Sequence, residues 1–409
     1  MNQLKITDDL VLKTPLILAP MSGVTDAAFR SLIFKENALA VETQDFASLR
    51  GEGAIANAVG MMVTEFVSVE ALTRKGGSFT RCGQMMKFQP HERPISIQIF
   101  GHDVDRMVQA AEMAEAAGAD MLDINCGCPV PKVVRRGGGA ELMRRPEQLQ
   151  KIVSAIKKAI KIPVGVKIRA GWDETHKNAV EIAKLVEGEG ASLLTIHART
   201  KAQGYSGKVD YAVVEQVCRE ISIPVVGSGD IYDIEGAKFY FNLGTKGAMI
   251  GRAALKNPWI FRDIYYSGGN GEVAVCFASV PANMRLGHVC DTGAPQTATS
   301  PLPPRVSSGF HVPAEKIISP RQSGLTGQSV VLRGEGCSDG AETRYAEIVR
   351  VLRDYNLLLR DNGVPENAVL GRLKQLVAQV TKGFVGGTKL RAALCKAKTV
   401  EQFFEQLEN

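Results

Sequence analysis

At 409 residues the chain is long enough for one large domain and a smaller one. Its 45% hydrophobic and 22% charged residues are typical of a globular protein, and the absence of any apolar run of 18 residues excludes a transmembrane helix. The first residues lack the apolar core of a signal peptide, and the eight cysteines have no regular spacing. We therefore expect a cytoplasmic protein with neither a disulfide framework nor a metal site.

The net charge of +6 is concentrated near the C-terminus. Residues 371–398 contain no acid and seven cations, which are Arg372, Lys374, Lys382, Lys389, Arg391, Lys396 and Lys398. A solvated helix face usually mixes both signs of charge, so this stretch favours a polyanionic partner such as a nucleic acid. An ordinary solvated face is the alternative.

The N-terminal part alternates between strands and helices. A strand at 16–19 leads through a Pro-Met-Ser-Gly turn to a helix that begins at Ala27, capped by Asp26 or Thr25. An extra segment at about 35–60 precedes a second strand at 62–66. Further strands are predicted at 94–100, 121–124, 163–168, 192–197, 224–227 and 247–250, with helices at 104–117, 146–160, 178–187, 211–220 and 234–242. Eight such units predict a (β/α)₈ barrel, an α/β fold, over residues 1–267.

The pattern changes after the barrel. Residues 268–340 are rich in Pro, Gly, Ser and Thr and have no sustained apolar periodicity, so we interpret them as a low-complexity, mostly disordered insertion. Helical patterns return at 341–361, 368–381, 389–397 and 400–407. They predict a small helical domain at 341–409.

Polar residues follow consecutive predicted strands. Gln98, Asn125, Cys128, Lys167, His197 and Gly229 lie at or just after strand C-termini, which meet at one mouth of such a barrel. The loop at 123–140 combines a thiol with an amide, glycines and the cations Lys132, Arg135 and Arg136. An acidic hydrogen beside anion-binding groups indicates proton transfer on a phosphate-bearing substrate. The alternative is a glycine-rich turn whose cysteines are merely buried.

A phosphate site is predicted after the seventh and eighth strands. Ser228, Gly229 and Asp230 follow one strand, and Gly251 and Arg252 follow the next. Glycine amides and a helix N-terminus at this position commonly bind phosphate, and Arg252 can add a charge-assisted contact. Glycine turns that simply close the barrel would explain the glycines but not the arginine.

The stretch NCGCPVPKVVRRGGGAEL resembles the active-site loop of the tRNA-dihydrouridine synthases, which are flavoenzymes. APMSGVTDAAFR, ISIQIFG, VGVKIRAGWDE, TIHARTKAQGYSGKVD, VVGSGDI and AMIGRAALKNPWIFRDI resemble further motifs of that family, in its order, over most of residues 14–265. Residues 342–398 resemble its C-terminal RNA-binding helical domain more weakly. The extra segments at 35–60 and 268–340 depart from its pattern.

The resemblance implies reduction of the C5–C6 double bond of tRNA uridines through FMN, with NADPH or NADH as the reductant. It makes Cys128 the general acid and Cys126 a packing residue, and it implies a monomer that binds tRNA. The implied FMN contacts are Pro20, Met21, Ser22, Gln98, Lys167, His197, Ser228, Gly229, Asp230, Gly251 and Arg252. The implied tRNA contacts are Asn125, Lys132, Arg135, Arg199, Lys382, Lys389 and Arg391.

Two other functions fit parts of the sequence. An FMN-dependent oxidoreductase of a free pyrimidine, similar to dihydroorotate dehydrogenases, would use the same chemistry without needing the basic C-terminal helices. An RNA-binding protein could instead keep the barrel without its chemistry. The presence of Cys128, Lys167 and Arg252 argues against that second alternative.

Overall fold

The structure, a computed structural model, describes residues 3–38, 57–74, 79–267, 340–384 and 386–408, with backbone alone at 79–81, 340–343 and 408. Most of the extra segment predicted at 35–60, and nearly all of the insertion predicted at 268–340, lie outside these residues. The predicted domain boundaries on either side of that insertion therefore stay predictions.

The strands are short, as in most barrels of this type. They are β1 (Leu4–Lys5), β2 (Val11–Leu12), β3 (Leu16–Leu18), β4 (Met61–Val63), β5 (Val67–Ser68), β6 (Ile95–Phe100), β7 (Met121–Asn125), β8 (Val164–Arg169), β9 (Leu193–His197), β10 (Val225–Ser228) and β11 (Gly247–Ile250).

Eight of these strands form a closed parallel barrel. They follow one another in the order β3, β4, β6, β7, β8, β9, β10, β11, and β11 pairs with β3 to complete the ring. The two-residue β5 pairs only with the end of β6. The predicted (β/α)₈ fold is confirmed, with one local error: the second barrel strand ends at Val63, because the chain leaves the sheet before Phe66.

The helices surround the barrel and then form a C-terminal group. They are α1 (Ala27–Glu36), α2 (Val69–Thr73), α3 (Phe79–Met85), α4 (Val104–Ala116), α5 (Pro131–Val134), α6 (Pro146–Ala159), α7 (Ala179–Gly188), α8 (Tyr211–Glu220), α9 (Ile234–Asn242), α10 (Arg252–Lys256), α11 (Ile260–Tyr266), α12 (Gly340–Asp361), α13 (Glu366–Val380), α14 (Gly387–Lys396) and α15 (Val400–Glu408). Short 3₁₀ helices lie at Pro90–Glu92 and Gly139–Arg144. Within the described residues, no helix is both long and apolar enough to cross a membrane.

An N-terminal hairpin, which the sequence analysis did not predict, covers the bottom of the barrel. β1 and β2 are antiparallel, with Leu4 opposite Leu12. Both leucines are buried in the apolar cluster that includes the inward-facing Ile17 and Met249. Gly247 leaves room for this plug, because a Cβ there would lie 3.0 Å from Leu4 Cδ2. The open end of the barrel is therefore the opposite one, at the strand C-termini.

The C-terminal helices dock on the barrel through α1. Asp26 caps α1, as predicted, by accepting a hydrogen bond from the Phe29 amide at 2.9 Å. Phe29 then packs edge-on against Tyr355 of α12, with ring centroids 6.3 Å apart. At the other end of α1, Arg350 of α12 forms two hydrogen bonds, of 2.8 and 2.6 Å, with the buried Glu36. Apolar packing and a paired buried charge thus hold the two parts together.

Candidate active site

A cleft with a cavity volume of about 520 Å³ opens at the C-terminal ends of the barrel strands. Loops after several strands contribute its walls, as the fold requires. Of the residues predicted for the site, those that line it are Pro20, Met21, Ser22, Asn125, Cys128, Lys167, His197, Ser228, Gly229, Asp230, Gly251 and Arg252. The convergence expected from the strand-end pattern is therefore present.

A chain of hydrogen bonds orders the loop that carries Cys128. Gln98 donates from Nε2 to the Asp123 carboxylate and accepts at Oε1 from Asn125 Nδ2 at 2.7 Å. Asn125 Oδ1 then accepts from the amides of Gly127 and Cys128, at 3.1 and 2.9 Å. We call this chain of hydrogen bonds the relay. The side chains of Gln98, Asp123 and Asn125 are all buried, so each of their polar groups needs a hydrogen-bond partner. The relay fixes the backbone at Cys128 from inside the barrel.

The two neighbouring cysteines have different surroundings. Cys128 lines the cleft, whereas Cys126 is wholly buried in the apolar core outside the cleft lining. Burial raises the pKa of Cys128, and a hydrogen bond from the Val130 amide partly offsets that effect. Burial also raises the pKa of Cys126, well above the range of ordinary thiols. Both thiols are therefore protonated near neutral pH, and Cys128 is the one a ligand in the cleft can reach.

Positive charge dominates the wall of the cleft. Lys167 and Arg169 end β8 and both line the cavity. Burial and the nearby Arg169 lower the pKa of Lys167 to about 8, while Asp123 acts in the opposite direction. Burial raises the pKa of Asp123 to about 6, and Gln98 and Lys167 oppose that rise. At neutral pH the cleft therefore contains the charged ammonium of Lys167, and Asp123 only partly compensates the cost of burying that charge.

His197 is neutral and its imidazole lacks a full set of partners. Burial, followed by the surrounding cations, lowers the pKa of His197 well below its usual value. Its Nε2 is buried and, among the described residues, has no hydrogen-bond partner. Gly229, at φ +115°, packs directly against this ring. A Cβ at this position would lie only 2.7 Å from His197 Cδ2, so a larger residue would not fit. A buried polar atom without a partner at the wall of a cavity is suited to bind a ligand.

Asp230 organises the other wall of the cleft. It has a left-handed backbone, with φ 53°, and accepts hydrogen bonds from both Arg199 and Arg252. Arg252 lies 2.7 Å from Asp230 Oδ1 and is less than half exposed, so its remaining donors can reach an anion in the cleft. Arg199 is buried and does not line the cleft; it also donates to the carbonyls of Ser206 and Gly207.

Arg169 and Tyr205 are among the residues of the cleft that were not predicted from the sequence. Arg169 donates from Nε to the Gly127 carbonyl at 2.6 Å and from Nη1 to the carbonyls of Thr200 and Gly204. Tyr205, 58% exposed, lies at the mouth with its ring centroid 5.5 Å from Arg169 and 5.6 Å from Arg252. The two-residue period from Lys167 identifies Arg169, whereas no signal in the sequence places Tyr205.

Other predicted residues lie outside the cleft lining. Gln98 is behind Asn125, and Lys132 and Arg135 are exposed on and just after α5, beyond the Cys128 loop. Lys382, in the turn after α13, and Lys389, on α14, are both exposed. Arg391 instead bonds the Thr381 carbonyl at 2.8 Å and the Thr388 hydroxyl at 3.0 Å, so its guanidinium is largely occupied within the protein.

The residues present fit a flavin that carries a phosphate. Three cations of the lining, Lys167, Arg169 and Arg252, face a single lining carboxylate, Asp230, which favours an anionic ligand. The unpartnered His197 Nε2 and the apolar side chains of Met21 and Met249 suit a planar heterocycle. Among the described residues there is no cluster of carboxylates of the kind that binds Mg²⁺.

Comparisons with known proteins identify a family and several relatives. Residues 17–277 match the family model described as "Dihydrouridine synthase (Dus)". The chain is 36% identical over 264 residues to a probable tRNA-dihydrouridine synthase 1 of Synechocystis, covering 64% of this chain and 68% of that protein. It is 38% identical over 259 residues to tRNA-dihydrouridine synthase B of Yersinia pestis, covering 63% and 73% respectively. The same enzyme of Vibrio parahaemolyticus is 38% identical over 261 residues, with 64% and 74% covered.

Proposed function

The chain belongs to the dihydrouridine synthase family, and from that premise we propose how its cleft reduces uridine in tRNA. As a member of the family, the protein is a flavin-dependent oxidoreductase that forms dihydrouridine in tRNA. The observation that carries the proposal is the presence of the protonated thiol of Cys128 in the same cleft as Lys167 and His197. FMN as the flavin and NADPH or NADH as the reductant are part of the proposal.

The cleft offers FMN two kinds of contact. Ser228, Gly229, Asp230, Gly251 and Arg252 would hold the phosphate, and the Arg252 guanidinium would supply the positive charge for it. Pro20, Met21 and Ser22 would line the wall beside the ring, and Lys167 and His197 would contact its polar edge. The buried charge of Lys167 then gains the anionic partner that the protein only partly supplies. When bound and reduced, FMN supplies the hydride that uracil accepts at C6.

Cys128 supplies the proton for C5. Because burial raises the pKa of this thiol, it carries its proton at neutral pH and can act as a general acid. Hydride at C6 and this proton at C5 together complete the reduction of the double bond, and the thiolate recovers a proton from water. Asn125 uses one Nδ2 hydrogen for Gln98, so the second is available to a carbonyl oxygen of the base.

The rest of the tRNA needs a separate binding surface outside the cleft. A uridine stacked in folded tRNA must be extruded to enter a barrel mouth, and RNA backbones are held through phosphates and 2′-hydroxyls. Lys382 and Lys389 are exposed on the helical domain, and Lys132 and Arg135 are exposed beside the cleft. Arg199 and Arg391, the other two arginines expected to contact tRNA, are engaged in contacts within the protein. The monomeric state and cytoplasmic location stay predictions.

The activity is tested with the purified protein, FMN, NADPH and tRNA lacking dihydrouridine. We expect dihydrouridine in the tRNA, detected by mass spectrometry of its nucleosides, and no reduction of orotate or uridine monophosphate. Reduction of the free pyrimidines instead of tRNA would favour the dihydroorotate dehydrogenase-like alternative. A protein that binds tRNA but no flavin would favour the RNA-binding alternative.

The proposed tRNA contact of the helical domain is tested by replacing both Lys382 and Lys389 with Ala. Two lost phosphate contacts should flatten the log–log salt slope of tRNA binding by about 1 to 2 and raise the Michaelis constant for tRNA. Reduction of the flavin by NADPH should not change. The matched control is the pair Lys151→Ala and Lys158→Ala, which removes two exposed charges from α6 on the outside of the barrel. An unaltered slope would move the RNA contact to Lys132, Arg135 and Arg136.

A further inference from the structure

The helical domain reaches the loop that forms one wall of the cleft. This loop, residues 20–26, connects β3 to α1, and Pro20, Met21, Ser22 and Val24 line the cavity. On its far side lies α13. Arg372 of α13 donates from Nη1 to the Gly23 carbonyl and from Nη2 to the Val24 carbonyl at 3.4 Å, and Gln375 donates to the Gly23 carbonyl at 3.2 Å. A helix remote in sequence therefore contacts the side of this loop that faces away from the cavity.

The same guanidinium pairs with the residue that ends the loop. Arg372 Nη2 also donates to Asp26, whose other carboxylate oxygen caps α1 through the Phe29 amide. The Arg372 side chain is only 18% exposed, so the pair is screened less than a surface ion pair. A planar guanidinium can hold a carbonyl and a carboxylate at once, whereas an ammonium is a single point of attachment.

The barrel holds the loop from the other direction. The Gly23 amide donates to the carboxylate of Glu65, which follows β4. Within the loop itself, the Met21 amide donates to Thr25 Oγ1 at 2.9 Å. Gly23 itself is left-handed, with φ +71°, a conformation that few other residues adopt readily. The amide and the carbonyl of this one glycine are thus held by two different parts of the chain. The conformation of the loop therefore depends on the hydrogen bonds at both the amide and the carbonyl of Gly23.

We propose that Arg372 and Gln375 are positioning residues of the cofactor site, through which the helical domain keeps the β3–α1 wall in the shape that binds flavin. The proposal rests on the proposed function only in taking FMN as the ligand. It gives the helical domain a role in the cleft, beyond any contact of its lysines with RNA. It also explains why Arg372, within an acid-free stretch, lies against a carboxylate of the barrel.

The test measures FMN affinity of the full-length apo-protein by quenching of flavin fluorescence, alongside its melting temperature. Arg372→Ala should raise the dissociation constant about tenfold, because one charge-assisted attachment of the wall is lost. Arg372→Lys should fall between this variant and the wild type, and Gln375→Ala should raise the constant about twofold to threefold. These milder variants keep the test decisive if Arg372→Ala does not fold.

Arg350→Ala is the matched control. It breaks the other arginine–carboxylate pair between the domains, with Glu36 at the far end of α1, about 15 Å from Asp26. We expect it to lower the melting temperature while leaving the FMN dissociation constant within about twofold. Asp26→Asn keeps the cap of α1, and combining it with Arg372→Ala should weaken FMN binding no further than Arg372→Ala alone.

Two results would overturn the inference. One is an unchanged FMN affinity in all the Arg372 and Gln375 variants. The other is an equal loss in Arg350→Ala, because general loosening of the domain contact would then suffice. A wild-type protein that binds no FMN would instead overturn the proposed function, so the two failures are distinguishable.

Discussion

The interior of the barrel has two halves of different character. In the apolar half, formed by β3, β4, β10 and β11, the inward side chains are mainly Ile17, Met61, Val63, Val226 and Met249. In the polar half, formed by β6 to β9, they include Ser96, Gln98, Asp123, Asn125, Lys167, Thr195 and His197. Both halves belong to one closed ring of parallel strands, so the backbone hydrogen bonding is equivalent and the side chains make the difference.

The two halves contribute to different properties. Burying apolar side chains stabilises the fold by about 25 cal/mol for each Å² removed from water. Burying a carboxylate or an ammonium costs free energy unless partners compensate the charge. Burial accordingly raises the pKa of Asp123 and lowers that of Lys167, which favours the neutral form of each. The polar half therefore gives up stability beside the cleft, and the apolar half offsets that loss.

The apolar half should show the largest change, and it should be a change of stability. Ile17→Ala removes a fully buried side chain between the hairpin plug and the barrel, so we expect the free energy of unfolding to fall by about 2–5 kcal/mol. The shift of the denaturant midpoint measures it. Val11→Ala, on the exposed side of the hairpin, is the control and should stay within about 0.5 kcal/mol. A similar small effect at Ile17 would show that this half is not tightly packed.

In the polar half, Cys128→Ala should abolish function and spare the fold. We expect FMN binding and reduction by NADPH to persist while dihydrouridine formation falls by roughly 10²-fold or more, because the proton for C5 is missing. Single-turnover reduction of tRNA by the pre-reduced enzyme measures this step. Cys126→Ala, two residues away in the apolar core, should be mild for catalysis. The assignment is wrong if the Cys126 variant is the inactive one.

Gln98→Leu should lower both stability and rate, because it interrupts the relay. Asp123 and Asn125 would each lose a buried partner, which should lower the free energy of unfolding by about 1–3 kcal/mol. Turnover should fall about tenfold, since a misplaced Cys128 loop weakens catalysis. Ser96→Ala, two residues earlier on β6, is the matched control. Its buried hydroxyl has no hydrogen-bond partner among the described residues, so its loss should cost little.

The smallest expected effect is that of pH on the proton-transfer step. Burial raises the pKa of Cys128 above the ordinary thiol value of 9.0, so the proton-bearing form persists through neutral pH and is lost only on the alkaline side. Single-turnover rates should vary less than about twofold between pH 6 and pH 8, then fall at higher pH. The fall should be absent from the residual activity of Cys128→Ala. A rate that already declines near pH 7 would contradict a raised pKa.

The alternation of apolar runs and helical periods was enough to predict the barrel. Strands β6 to β11 lie within one or two residues of their predicted ends, because each is a buried run bounded by turn residues. The second strand was placed less well: it was predicted at 62–66, whereas β4 ends at Val63 and the separate two-residue strand β5 begins at Val67. The N-terminal hairpin was missed because two-residue strands carry no periodicity.

By itself, the sequence determined which groups reach the barrel mouth. A parallel strand sends alternate side chains inward, and its C-terminal end is fixed, so the positions of Asn125, Lys167 and His197 follow from their place in the chain. Only the tertiary structure decided which of these groups have partners. It placed Gln98 behind Asn125 and paired Arg199 with Asp230. It also brought Arg372 onto the loop between β3 and α1, 346 positions along the chain from Asp26. Contacts between residues so far apart depend on how whole elements pack, and a local pattern holds no information about that.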